Sequence, residues 1–195
     1  MVVPAPDPQR ILDDVTRLRS AGSLCIDASS MIICNKAGIL DPLGACCRLF
    51  TVEAVLAETG YTDAPVLLLP APNTFTPVAP EDSLARALSA ADRLLLAGAH
   101  AAGLPLVSDD RALLAAAAAA GLVHFNALMM LNLLFAHGAM DGAGGPLEVR
   151  RLLLKAGRYH RDVVAYADAV RLAISAGAIG AQSAAAGRAA RAGRE

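Results

Sequence analysis

The apolar positions of this chain switch repeatedly between a helical and a strand period. Ile11, Leu12, Val15 and Leu18 recur three and four residues apart and share one helix face. Asp7-Pro8 supplies an N-cap and a first helical residue, and Ala21-Gly22 closes a helix of roughly 12 residues. Ser23-Leu24-Cys25-Ile26 is short and apolar, then stops on Asp27-Ala28-Ser29. It reads as a buried strand that delivers a carboxylate at its carboxyl end. Met31-Ile32-Ile33-Cys34 begins a helix or turn across the sheet, and a short helix over 43–47 follows the break at Asp41-Pro42.

Arg48-Leu49-Phe50-Thr51-Val52 is a second strand, and a helix over 53–58 stops at Thr59-Gly60. Pro65 and Pro70 bracket Val66-Leu67-Leu68-Leu69, which suits an edge strand because proline cannot donate to a ladder. A helical block over 81–102 restarts at Ser89-Ala90-Ala91-Asp92, which has capping-box spacing with aspartate as the acid. Leu104-Pro105-Leu106-Val107 is the next strand and stops at Ser108-Asp109-Asp110. An alanine-rich helix over 111–120 ends at Gly121, Leu122-Val123-His124-Phe125 is a strand, and 127–136 is an apolar helix. After the linker Gly142-Ala143-Gly144-Gly145, Pro146 opens one long helix reaching about residue 175. The Ala/Gly/Arg stretch beyond it predicts disorder.

Strand and helix therefore alternate, which predicts an α/β domain with a mostly parallel sheet and helices on both faces. The expected organisation is an N-terminal helix over 1–22, one domain over 23–145, a C-terminal helix over 146–176 and a tail over 177–195. At 195 residues the chain can bury a full core without staples. Ligand sites in such sheets lie outside the carboxyl ends of the strands. Asp27 and Ser108-Asp109-Asp110 both fall there and are candidate neighbours.

Composition changes this picture in three places. Hydrophobic residues make up 55%, but much of that is alanine and points to helices rather than a membrane. The most apolar window, 122–140, is interrupted by His124, Asn126, Asn132 and His137, so no transmembrane span is expected. Aromatics are few and tryptophan is absent, so base-stacking platforms are not advertised. Charge is uneven: residues 1–145 hold 8 Lys/Arg against 14 Asp/Glu, and residues 146–195 hold 9 against 4. An acidic body with a basic tail suits a metal site beside a polyanion surface, or simply solvated helix faces. Cys25, Cys34, Cys46 and Cys47 fit no zinc spacing. With no secretory leader pattern at Met1-Val2-Val3-Pro4, they read as reduced, mostly buried thiols of a cytoplasmic protein.

The chemistry on offer is carboxylate chemistry. The chain contains no phosphate-cradling glycine motif, no H-E-x-x-H and no G-x-S-x-G. Several acids converging on one point call for a hard cation, and Mg²⁺ and Mn²⁺ take oxygen ligands. Four pieces occur in order: the strand ending Asp27-Ala28-Ser29-Ser30; Thr51-Val52-Glu53-Ala54-Val55-Leu56-Ala57-Glu58; Leu88-Ser89-Ala90-Ala91-Asp92 running into an apolar helix; and Leu106-Val107-Ser108-Asp109-Asp110-Arg111. Over residues 24–140 this order resembles the PIN domain family of metal-dependent ribonucleases, which includes the VapC-type toxins.

The resemblance implies a three-layer α/β/α sandwich, here with an added N-terminal helix and a C-terminal helical extension. It implies that Asp27, Glu58, Asp92 and Asp110 are catalytic, with Glu58 preferred to Glu53. The implied ligands of Mg²⁺ or Mn²⁺ are Asp27, Asp92 and Asp110, with Asp109 an alternative, and Ser29 and Ser108 stand beside them. The implied reaction is hydrolysis of an RNA phosphodiester by metal-activated water. A toxin–antitoxin pair follows from the same likeness, with an antitoxin protein as partner. The chain departs from the pattern at Ala28, where a hydroxyl is usual, and in its two added helices.

Each residue also carries a structural reading. Asp27 caps the following helix, Asp92 serves a capping box, Asp109 caps the helix from Arg111, and Glu58 is a solvated helix end. Arg111 and, on the C-terminal helix, Arg150, Arg151, Lys155, Arg158 and Arg161 track an RNA backbone, or the C-terminal helix packs on its own domain or on a second copy as a homodimer. His124, His137 and His160 are read as structural or surface residues. Two alternatives to the ribonuclease stay open: a PIN-like binding module without turnover, and a phosphohydrolase of small phosphates.

Overall fold

The computed structural model describes residues 6–70, 88–140 and 145–192, the last fifteen of them by backbone only. Among these residues five strands form one all-parallel sheet: β1 (Ser23–Ile26), β2 (Arg48–Thr51), β3 (Val66–Leu68), β4 (Leu106–Val107) and β5 (His124–Phe125). Their order is β3-β2-β1-β4-β5. The chain builds outward from β1 to β3, then returns to lay β4 on the other side of β1. β1 and β4 pair Cys25 with Leu106 and Ile26 with Val107. β3 is the edge strand that its flanking prolines predict.

One face of the sheet carries α1 (Pro8–Ser20), α2 (Ala28–Lys36), α3 (Leu40–Cys46), α7 (Ala127–Ala136), α8 (Gly145–Gly157) and α9 (Arg161–Ala192). The other carries α4 (Glu53–Thr59), α5 (Ala90–Ala102) and α6 (Arg111–Ala119). Strand alternation splits the core accordingly. Leu24 and Ile26 join Leu18, Met31, Leu43 and Met130 on the first face. Cys25 and Leu106 join Val55, Leu95 and Leu113 on the second. This is the three-layer arrangement, and its sheet is wholly parallel.

The local signals act as expected at most boundaries. The Asp7 side chain accepts from the Gln9 amide ahead of Pro8, and Gly60 and Gly103 end α4 and α5 in the left-handed conformation. Ser89 and Asp92 form a reciprocal capping box at the start of α5. The helical block expected over 81–87 and the linker at 141–144 lie outside the described residues.

Two expectations for the C-terminal third need correction. The single helix over 146–175 is two helices, broken between Gly157 and Arg161. Glycine is a poor helix former, and Arg158 turns the chain with a φ of 49°. Tyr159 then folds back over Gly157, at a position where any Cβ would collide with its ring. The backbone of α9 also continues as helix to Ala192, across the stretch for which composition predicts disorder. Alanine's high helix propensity accounts for that. Among the described residues no helix is long and apolar enough to cross a membrane.

Candidate functional site

Asp27 stands at the junction of the two central strands. It ends β1 and caps α2, its Oδ1 accepting from the Ser30 amide at 2.7 Å. Its Oδ2 accepts from the Ser29 hydroxyl at 2.9 Å and from the Ser108 hydroxyl at 2.6 Å. The pairing of Ile26 with Val107 sets Asp27 opposite Ser108, and the Asp27 amide donates to the Val107 carbonyl at 3.1 Å. Only 3% of Asp27 is exposed. Burial raises its pKa, although hydrogen bonds from Ser108, from the amide and the hydroxyl of Ser30 and from Ser29 pull the other way. The Ser30 side chain beside it is fully buried.

Ser108 is the hinge of this corner. It donates to Asp27 and accepts from the Asp110 amide at 3.0 Å, tying the ends of β1 and β4 together. Its two neighbours in the chain then part. Asp110 is exposed and caps α6, its Oδ1 accepting from the Leu113 amide at 2.8 Å. The cap expected of Asp109 therefore belongs to Asp110, one residue nearer the helix. Asp109 turns to the opposite face of the sheet. Its Oδ1 accepts from the Ala127 amide at 3.3 Å and its Oδ2 from the Tyr159 hydroxyl at 3.0 Å.

Asp109 and Asp27 feel one another. Burial pushes the Asp109 carboxyl up to about 6, and the Asp27 charge adds to that, against the bonds from Tyr159 and Ala127. Burial also raises the Cys34 thiol, with Asp109 and Asp27 contributing. The corner is thus a poorly solvated pocket of negative charge. It stabilises either a proton or a cation on these acids.

The other two acids sit on helices of the α4–α5–α6 face. Asp92 is half-buried in the first turn of α5, where its Oδ2 accepts from the Ser89 hydroxyl at 2.8 Å and the Ser89 amide at 3.3 Å. Because α5 runs down into the amino end of β4, its first turn lies on the sheet's carboxyl side. Glu58 is exposed in the last turn of α4. Glu53, at the other end of the same helix, is the first residue of α4, one residue beyond the carboxyl end of β2. Five residues of helix, about 7.5 Å, separate the two.

The oxygen donors near Asp27 are of the class that Mg²⁺ and Mn²⁺ accept. Asp27 alone stands at the junction, with both its oxygens accepting hydrogen bonds from Ser29, the Ser30 amide and Ser108. The rest is not assembled. Among the described residues no three His, Cys, Asp or Glu side chains gather at metal-ligand spacing. Asp92 and Asp110 spend carboxylate oxygens on helix caps, and Tyr159 takes one from Asp109.

The basic residues divide in the same way. Arg150 grips Asp168 with two hydrogen bonds, at 3.1 and 2.7 Å, and Arg151 grips Glu148 at 2.9 and 2.6 Å. Both charges are answered within the chain. Arg111 and Lys155 are exposed, and Arg111 follows Asp110 directly at the start of α6. His137 bonds the Leu18 carbonyl and His160 pairs with Asp162, in keeping with structural roles. Tyr159 was not singled out in the sequence, because 50 residues separate it from Asp109. The one available signal is an aromatic two residues after a glycine within a helical pattern. The chain matches no protein-family model, no curated protein and no solved structure.

Proposed function

We propose that this chain is a metal-dependent ribonuclease of PIN-like architecture, with its site at the carboxyl ends of β1 and β4. The observation that carries the reading is the placement of Asp27. It is a buried carboxylate at the point where the strand order reverses, held by a hydroxyl from the neighbouring strand. The chain leaves β1 through α2 on one face and leaves β4 through α6 on the other. Helices that diverge in this way leave a crevice, which is where open parallel sheets bind ligands.

Asp27 is the anchor, Asp110 the second acid and Asp109 its alternative. Asp92 approaches from α5, and an acid of α4 completes the set. A bound Mg²⁺ or Mn²⁺ would supply a polarised phosphate and an activated water. Ser29 and Ser108 orient the Asp27 carboxylate, so that one oxygen keeps a fixed direction when charge builds at the phosphate. Arg111, exposed beside Asp110, offers a cation to the RNA backbone.

The test uses the full chain with single-stranded RNA and either cation. Asp27→Asn and Asp110→Asn each abolish cleavage while circular dichroism stays that of the parent. Undiminished cleavage by both variants rejects the mechanism. The second reading, a binding module without turnover, draws on the unassembled ligand set. Calorimetry decides between them: titratable Mn²⁺ binding that Asp27→Asn removes supports the nuclease, and no Mn²⁺ binding supports the module.

A further inference from the structure

We infer that the cavity beyond β5 is a pocket for one unstacked base of single-stranded RNA, an inference that rests on the ribonuclease reading for its substrate. The cavity measures about 420 Å³ and contains none of the acids of the candidate site. That volume falls within the ~300–1,000 Å³ of pockets that take small ligands. Its walls come from α1 and α9, two of the three helices outside residues 24–140, closed against β5 and the first turns of α6 and α7.

The surfaces suit a flat, polar-edged ring. Leu114, Phe125, Met129 and Val163 supply apolar contact. On one wall the Arg10 guanidinium lies 5.0 Å from the centre of the Tyr166 ring, a ready-made stack. Tyr166 is fixed by donating to Asp14 at 2.7 Å, and Asp14 also takes Arg17 at 3.0 Å, so that acid is already satisfied. The remaining acid of the wall, Asp162, pairs with His160 at 3.1 Å.

Three lining groups keep hydrogen-bonding capacity in hand. Arg10 makes no ion pair among the described residues. Asn126 commits its Oδ1 to the Met129 amide, which leaves its NH₂ as a donor. His124 Nδ1 lies 3.0 Å from the Leu122 carbonyl, and a carbonyl only accepts. Nδ1 therefore carries a proton, and the ring presents Nε2 as a further polar atom. Polar atoms around an aromatic and guanidinium wall are what recognition of an unstacked base needs.

Position links the pocket to the acids. β5 is two strands from β1, about 10 Å at ordinary strand spacing, and the cavity opens beside its carboxyl end. An RNA strand crossing this edge of the sheet would meet Asp27, then Asp110, then the pocket. The cavity would thus select the base a short step from the cleaved bond.

The test is calorimetry of the full chain with AMP, GMP, CMP and UMP in EDTA, without divalent cation. At least one nucleotide binds, and inorganic phosphate does not displace it. Ala165→Trp and Arg10→Ala, both at exposed positions of the cavity wall, weaken that binding by about tenfold or more, the scale of one lost stacking contact. Asp27→Asn, outside the cavity, binds the nucleotide as the parent does. On RNA, Ala165→Trp still cleaves but loses base preference beside the cut. No nucleotide binding, or equal displacement by phosphate, overturns the pocket whatever the cleavage result. Cleavage that survives Asp27→Asn overturns the nuclease reading and leaves the pocket standing.

Discussion

The Ser108 hydroxyl ties together the carboxyl ends of β1 and β4. It bonds Asp27 and the Asp110 amide while fully buried. Ser108→Ala leaves a buried carboxylate with one donor fewer. It should cost about 1–3 kcal/mol in urea unfolding, with circular dichroism unchanged. Asp109 adds a pH dependence of definite sign. Its carboxyl rises from the ordinary 3.8 to about 6 on folding, so the fold favours the protonated form. Stability is full below the lower value and falls as pH rises to the higher one, by about 2–3 kcal/mol. Urea unfolding from pH 3.5 to about 7 should show this decline, and Asp109→Asn should make it shallower, the part left belonging to Asp27, whose carboxyl burial also raises. Asp27 was legible in the sequence because an apolar run ending on an acid and small hydroxyl residues is a local pattern. Asp109 was not, because its face, its partner and its poor solvation are all set by residues far along the chain.

At the scale of elements, the break between α8 and α9 is the feature that the periodic pattern concealed. Apolar residues continue at helical spacing across it, yet Tyr159 leaves the helix to reach Asp109. The gap is shaped for that ring: a Cβ at Gly157 would strike it, and Arg158 takes up a left-handed turn. Gly157→Ala should therefore destabilise more than Tyr159→Phe. The first displaces the whole ring from the core and the second removes one hydrogen bond, worth about 1 kcal/mol. Comparing their thermal unfolding midpoints checks the order. The Asp92 helix shows the reverse case. Its capping box needs only residues 89–92, so sequence and structure agree on where α5 begins. The same bonds also occupy the carboxylate that the family pattern offers to a metal.

For the whole molecule, the first and last described helices are partners. α9 packs on α1 and α7, Arg19 donates to the Ile174 carbonyl, and Tyr166 donates to Asp14. Val170 and Ile174 of α9 belong to the same core as Leu18 of α1. A chain ending at residue 160 should lose both the cover of that core and the base pocket. Its thermal midpoint should fall by several degrees or more, and nucleotide binding should disappear even where acid-dependent cleavage persists. Unchanged stability of this shortened chain would show that α9 is not part of the folded unit.

By itself, the sequence determined the alternation of strands and helices, the parallel sheet, the edge position of β3, the caps at Asp7, Asp27 and Ser89, and the arrival of Asp27 and Ser108-Asp109-Asp110 at strand ends. All of these rest on contacts within a few residues or on the period of the apolar positions. Tertiary structure alone decided which strands are neighbours, and so which acids meet. It turned Asp109 and Asp110 to opposite faces, answered Arg150 with Asp168, and gathered Arg10, His124 and Tyr166 around one cavity from three distant segments. Few aromatics in the composition predicted no stacking platform. Packing of α9 against α1 sets the Arg10 guanidinium over the Tyr166 ring, a contact that composition could not foretell.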